Sequence, residues 1–123
     1  MSRTTKKAIN YTNEDLYCGL DLSLTGTGIV IINVNAQVVF SKTFKNKLRG
    51  MERLEYLRKE IYKVLCDYEP KFTCVEGYAM GARNGHAFGI GELGGVIKLA
   101  LHCREFAYCD VPPTRVKRSK SVV

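Results

Sequence analysis

No stretch of this chain of 123 residues approaches the roughly 18 apolar residues that a membrane-spanning helix needs. Residues 1–13 are polar and lack the apolar centre of a secretory signal, so they read as part of a short flexible arm. The five cysteines, Cys18, Cys66, Cys74, Cys103 and Cys109, include no C-x-x-C pair. His86 and His102 stand at no metal-site spacing to any of them. A zinc motif and a disulfide framework are therefore both disfavoured. Each cysteine sits among apolar residues and reads as a buried thiol of a reducing compartment. Asn10-Tyr11-Thr12 fits a glycosylation sequon but carries no weight without a secretory signal. There is no internal repeat and no low-complexity tract. The length suits one domain with one core and leaves no room for two lobes.

What the chain does have is positive charge. Nineteen Lys and Arg against twelve Asp and Glu give a net charge of +7. A basic excess on a small protein favours polyanions such as nucleic acid, the alternative being a solvated basic surface. The charge is clustered. Lys42, Lys45, Lys47 and Arg49 form one group, and Arg115, Lys117, Arg118 and Lys120 crowd the C-terminus.

Hydrophobic patterning divides the chain into seven elements. Residues 16–22, 28–34 and 37–44 read as strands rich in Ile, Val and Phe, with Val38, Phe40 and Lys42 on one face of the third. Their connections are too short for crossovers, which predicts an antiparallel meander. Residues 51–68 read as a helix: Met51, Leu54, Leu57, Ile61, Val64, Leu65 and Tyr68 recur mostly at spacings of three and four, and Pro70 ends it. Residues 71–76 are a fourth strand. Residues 87–103 are a second helix carrying Phe88, Ile90, Leu93, Ile97 and Leu101. Gly89, Gly91, Gly94 and Gly95 in its first half each cost about 1 kcal/mol relative to Ala, which predicts a close approach to other backbone. Residues 105–111 are a fifth strand, ended by Pro112 and Pro113. Right-handed crossovers then place the later strands parallel to one another.

Two carboxylates carry the chemical reading. Asp21 and Glu76 each end an apolar strand, where a lone charge is expensive unless compensated. If the fourth strand lies beside the first and parallel to it, the two project about 4.8 Å apart. Hard oxygens at that spacing suit Mg²⁺ or Mn²⁺. Such ions activate a water and steady a leaving oxygen in phosphodiester cleavage. The alternative is that Asp21 caps the following turn and Glu76 is an exposed strand end. The turn itself, residues 23–28, either offers N–H groups to a phosphate or is a plain hairpin turn. Its Asp-turn-strand pattern also occurs in actin-like ATP sites, which need a second lobe. Residues 89–94 match G-x-G-x-x-G, but a loop rather than a strand precedes them, so helix packing within the fold or across a dimer is the better account. Glu92 is a weaker acid candidate. Tyr78, Met80 and Arg83 follow Glu76 in a loop, where an aromatic and a cation suit a base or a phosphate.

Taken together, these stretches resemble a family. Gly19-Leu20-Asp21-Leu22-Ser23-Leu24-Thr25-Gly26-Thr27-Gly28 resembles the opening strand of the RuvC-type Holliday junction resolvases, in wording closer to phage or viral members. Val75-Glu76-Gly77-Tyr78 resembles their second acidic motif, and Gly91-Glu92-Leu93-Gly94-Gly95-Val96 the helix after it. Asp110-Val111-Pro112-Pro113-Thr114-Arg115-Val116-Lys117 resembles their fifth strand and the lysine beyond.

The resemblance implies an α/β, RNase H-like fold: a five-stranded mixed sheet in the order 3-2-1-4-5 with helices on its faces. It divides the chain into an arm (1–15), a nuclease domain (16–117) and a basic tail (118–123). It implies a homodimeric, Mg²⁺-dependent (or Mn²⁺-dependent) endonuclease that nicks four-way or other branched DNA, with Asp21 and Glu76 as metal ligands and catalytic residues. Lys117 would approach a phosphate, Tyr78 would probe the junction, and Arg115, Arg83, Lys45 and Lys47 would join the DNA contacts. The setting would be a bacterial or phage-host cytoplasm or a viral replication site. Family sites also draw one or two acids, or a His and an acid, from a final helix. Residues 118–123 hold no acid, so the expectation is a fold with that helix missing. A junction-binding protein without cleavage is the alternative function.

Overall fold

The computed structural model describes residues 15–77 and 86–111. Five strands and two helices follow in the order β1 (Tyr17–Asp21), β2 (Gly26–Ile32), β3 (Val38–Lys45), α1 (Gly50–Tyr68), β4 (Phe72–Glu76), α2 (His86–Cys103) and β5 (Tyr108–Asp110). The five strands form one sheet in the order β3-β2-β1-β4-β5. β2 is antiparallel to both β1 and β3, while β4 is parallel to β1 and β5 parallel to β4. The meander and the parallel crossovers are therefore as the connection lengths require.

Local chemistry sets the turns. After β1, the Thr27 hydroxyl donates to Ser23 O and accepts from Ser23 N at 3.1 Å, while Gly26 N donates to Ser23 Oγ at 3.3 Å. The hydroxyls thus hold the hairpin closed, and of the two readings of this turn the plain hairpin fits. Between β2 and β3, Asn33 Oδ1 accepts from Asn35 N and Gln37 N, an Asx arrangement that lets Ala36 sit at φ 63°. α1 ends at Glu69, which takes the left-handed conformation and donates its N–H to Leu65 O before Pro70.

One face of the sheet is sealed. Cys18, Leu20, Ile29, Ile31, Phe44 and Val75 point into a single core with Leu54, Leu57, Ile61 and Leu65 of α1 and Leu93, Ile97 and Leu101 of α2. Each such side chain contributes on the order of 1.5–3 kcal/mol by leaving water. Both crossovers, β3-α1-β4 and β4-α2-β5, run in the same direction across the sheet. Equal handedness therefore puts both helices on the same face. Among the described residues the opposite face carries no helix.

Three local expectations change. The fifth strand begins at Tyr108 rather than at residue 105, because the helix C-terminus takes up the preceding residues. Glu105 sits at φ 60° and donates to His102 O at 2.9 Å, and Phe106 donates to Leu101 O at 2.9 Å. Met51, placed on the apolar stripe of its helix by periodicity, is 68% exposed, and Val38, at the start of β3, is 63% exposed. Met51 is in the first turn of its helix, beyond the reach of the sheet, and the register of β3 shifts opposite Ile31 and Ile32. The cysteines are not uniformly buried. Cys18 is buried, Cys66 and Cys109 are half-buried, and Cys74 and Cys103 are exposed.

Candidate functional site

The alternation of a strand decides which residues face away from the helices. On β1 these are Tyr17, Gly19 and Asp21, flanked in register by Ile32, Val30 and Gly28 of β2 and by Phe72, Cys74 and Glu76 of β4. Ser41 and Thr43 of β3 continue the same surface beside Val30 and Gly28. Gly19, Gly28, Val30, Ser41, Thr43 and Cys74 line a shallow open groove of about 620 Å³ with Asp21 and Glu76 at its head. The small residues keep it open. A Cβ at Gly28, directly opposite Asp21, would meet nothing within 4 Å and would stand in the groove itself.

Asp21 and Glu76 are exact register partners on adjacent parallel strands. They occupy the C-terminal ends of β1 and β4, whose Cα atoms lie about 4.8 Å apart across such a pair. Leu22 N donates to Glu76 O at 2.8 Å, which carries the pairing one step past the carboxylates. Gly77 is required there, since a Cβ on it would come within 2.7 Å of Leu22 Cβ. Asp21 is exposed and Glu76 half-buried, so both are reachable from solvent. Among the described residues no group of three or more His, Cys, Asp and Glu side chains converges here. Two carboxylates with open coordination positions suit one Mg²⁺ or Mn²⁺, a cation that keeps several waters and takes few protein ligands.

The basic loop after β3 lies at the same end of the sheet. Lys45 pairs with Gly26, two residues along from Thr43, which lies across from Gly28 and so from Asp21. By alternation Lys45 shares the open face, about 12 Å from Asp21 in Cα position. Asn46 ties the loop to the hairpin, donating Nδ2 to Leu24 O at 3.2 Å and N to Thr25 O at 3.3 Å. Lys45 and Lys47 are both exposed beside it. Glu92 is exposed on α2, and His102 is exposed in its last turn. Tyr78, Met80, Arg83, Arg115 and Lys117 lie outside the described residues.

Sequence reasoning missed the groove around the acids. Gly28, Ser41, Thr43 and Cys74 are brought to it by the same two-residue period that presents Asp21 and Glu76, so the signal was present in the alternation. It also missed a thiol pair: Cys74 and Cys109 are register partners on β4 and β5, with Sγ atoms 4.0 Å apart. Burial first, and then the Cys109 thiol, pushes the Cys74 thiol above the ordinary thiol range.

No family model and no curated protein sequence matches this chain. Solved structures do. RuvC from Thermus thermophilus in complex with a Holliday junction substrate superposes with a TM-score of 0.75 at 20% identity, covering 85% of this chain and 68% of that one. A second Thermus thermophilus RuvC structure gives 0.72 at 19% identity, over 84% and 67%. A Ppx/GppA family member from Aquifex aeolicus gives 0.50 at 8% identity, over 82% of this chain and 36% of that one. A mixed sheet in the order 3-2-1-4-5 with two helices is thus the RuvC-type, RNase H-like fold, and this chain has it.

Proposed function

We propose that this chain is a metal-dependent endonuclease that acts on branched DNA, with the four-way junction as its principal substrate. The observation that carries this reading is the Asp21–Glu76 pair, in direct register at the C-terminal ends of two parallel strands and at the head of an open groove. The RuvC of like fold is seen with a Holliday junction substrate. When bound, Mg²⁺ or Mn²⁺ supplies Lewis-acid activation of a water and of the scissile phosphodiester. Asp21 and Glu76 hold the cation in place. Lys45 and Lys47 neutralise phosphates on the flank, and Arg115, Lys117 and Arg83 join the DNA contacts. Tyr78, two residues beyond Glu76, stacks on a base at the branch point. The setting is a bacterial or phage-host cytoplasm, or a viral replication site, where branched DNA arises.

The active form is a homodimer, matching the two-fold symmetry of a four-way junction. Phe88, Glu92, Gly95 and Leu99 recur at spacings of four, three and four on the outer side of α2, with Phe88 82% and Leu99 61% exposed. Two large apolar side chains flanking a glycine suit close helix-on-helix packing. The Leu99→Glu variant should run as a monomer by light scattering where the unmodified chain runs as a dimer.

A second reading, a junction binder that does not cleave, is favoured by one observation: only two acids meet at the site among the described residues. One experiment separates the two. The chain is incubated with a labelled four-way junction or a linear duplex, with Mg²⁺, Mn²⁺ or EDTA. Metal-dependent nicking of the junction that Asp21→Asn abolishes supports the endonuclease. Tight junction binding without cleavage under any metal refutes it and leaves the second reading. Binding indifferent to branching refutes both.

A further inference from the structure

The thiol pair on the open face has no part in the chemistry above. Cys74 lies between Thr73 and Val75, both buried in the core, so its own side chain emerges on the groove side. Cys109 lies between Tyr108, which packs against the core, and Asp110, which reaches Lys98 of α2 at 3.1 Å. It therefore emerges on the same side as Cys74, directly across the β4–β5 ladder. Adjacent strands hold paired Cα atoms about 4.8 Å apart, inside the 4.4–6.8 Å range that a disulfide bridges. The sulfurs are already 4.0 Å apart. Cys74 is exposed and Cys109 half-buried, so a small oxidant reaches the pair from the groove.

We propose that Cys74 and Cys109 form a modification site, a dithiol that closes to an intramolecular disulfide on meeting a small-molecule disulfide such as oxidised glutathione. The Cys74 thiolate attacks one oxidant sulfur, breaking the oxidant S–S bond and releasing one thiol. The Cys109 thiolate then attacks the Cys74 sulfur of this mixed disulfide, forming the Cys74–Cys109 bond and releasing the second thiol. The two cysteine protons end on the two released thiols. The protein loses two electrons, and the oxidant gains them.

The bond would act on the fold and on the groove together. β5 is only three residues long, held to β4 by its ladder and by Thr73 N to Ala107 O at 3.0 Å and Val111 N to Val75 O at 2.8 Å. A covalent tie there encloses the whole of α2 in a loop, which restricts the unfolded chain. On the groove side, Cys74 is two residues from Glu76 on the same strand face.

The test incubates the full chain with oxidised glutathione at about pH 8.5, where the thiolate fraction is higher than at neutral pH. The mixture is quenched with an alkylating agent, and the product is examined by intact mass and peptide mapping. The expected result is a loss of two hydrogens, a Cys74–Cys109 cross-linked peptide, and a melting temperature raised by several degrees and restored by dithiothreitol. Cys109→Ser and Cys74→Ser should each stop at a glutathione adduct on the remaining cysteine of the pair. Circular dichroism checks that both variants fold. A product linking Cys74 to Cys103 or Cys66, a cross-link between two chains, or alkylation of both thiols with no cross-link would each overturn the proposal. None of these readouts depends on cleavage or metal binding.

Discussion

Two like charges held in register by a sheet should repel, and that repulsion gives a test of the site that does not depend on turnover. Asp21 and Glu76 face each other across the β1–β4 pair, and Asp21 is exposed. At about 5 Å in a water-like dielectric, two unit charges interact by about 0.8 kcal/mol. Replacing Asp21 by Asn keeps the shape and removes one charge. In a metal-free buffer of low salt, the variant should therefore melt about 3 °C higher than the unmodified chain. Loss of any acid from a chain of net charge +7 also raises overall self-repulsion. Glu55→Gln, at an exposed acid 3.7 Å from Lys59 on α1, is the control and should bring no gain. At 1 M salt the screening length falls to about 3 Å, and the advantage of Asp21→Asn should vanish. Mg²⁺ should then reverse the order. At ten times its Kd it adds about 1.4 kcal/mol, or about 5 °C, to the unmodified chain and nothing to the variant. The assay is thermal melting by circular dichroism at matched ionic strength. A variant that melts lower in the absence of metal, or an equal Mg²⁺ shift in both proteins, would refute the reasoning.

Three other outcomes follow from the packing. Burial pushes the Cys18 thiol up from the ordinary 9.0 to about 12. The folded chain therefore keeps a proton that the unfolded chain gives up above pH 9. That stability is intact below about pH 9 and declines through the window from 9 to 12 by about 1.4 kcal/mol per pH unit. Urea denaturation between pH 8.5 and 10.5 should show a steeper decline than the same measurement on Cys18→Ala, whatever their absolute stabilities. Gly77→Ala drives a Cβ to 2.7 Å from Leu22 Cβ and should cost about 1–3 kcal/mol, whereas Gly95→Ala, with nothing within 4 Å, should add about 1 kcal/mol in the same assay. Gly28→Val should leave the fold as stable or up to about 1 kcal/mol more so, because Val suits a strand better than Gly. Its side chain would stand in the groove opposite Asp21, so junction binding should weaken without loss of structure.

The site was more legible in the sequence than its surroundings. Asp21 and Glu76 stood out because each ends an apolar run, and a parallel pairing of those runs admits few registers that keep Leu20 and Val75 buried together. Strand directions followed from connection lengths and crossover handedness, whereas the strand order was what the family resemblance implied. Exposure was harder to read, because it depends on which face the helices cover. Cys74 and Cys109 sit in apolar strands and look buried, but both described helices cover the other face. Phe88 and Leu99 belong to a helix whose apolar residues extend beyond its buried stripe of Leu93, Ile97 and Leu101, a surplus that periodicity alone does not assign to a side. The start of β5 escaped because the left-handed turn that ends α2 uses Glu105, where glycine would have signalled it.

The position of the acids also follows from the way the chain leaves the sheet. From the end of β1 it turns through a hairpin to β2 on one side, and from the end of β4 it departs through α2 to β5 on the other. The two connections lead to opposite sides, so the ends of β1 and β4 are left side by side. In open α/β sheets such a point of divergence is where ligands bind, beyond the carboxyl ends of the strands. Asp21 and Glu76 are the residues that occupy it. Two acidic side chains are accommodated there because the stabilising contacts of the fold lie on the other face, where Leu20 and Val75, the residues just before them, are nearly fully buried. Adjacent positions on each strand thus divide the work: one side chain anchors the strand in the core, and the next stands on the open face.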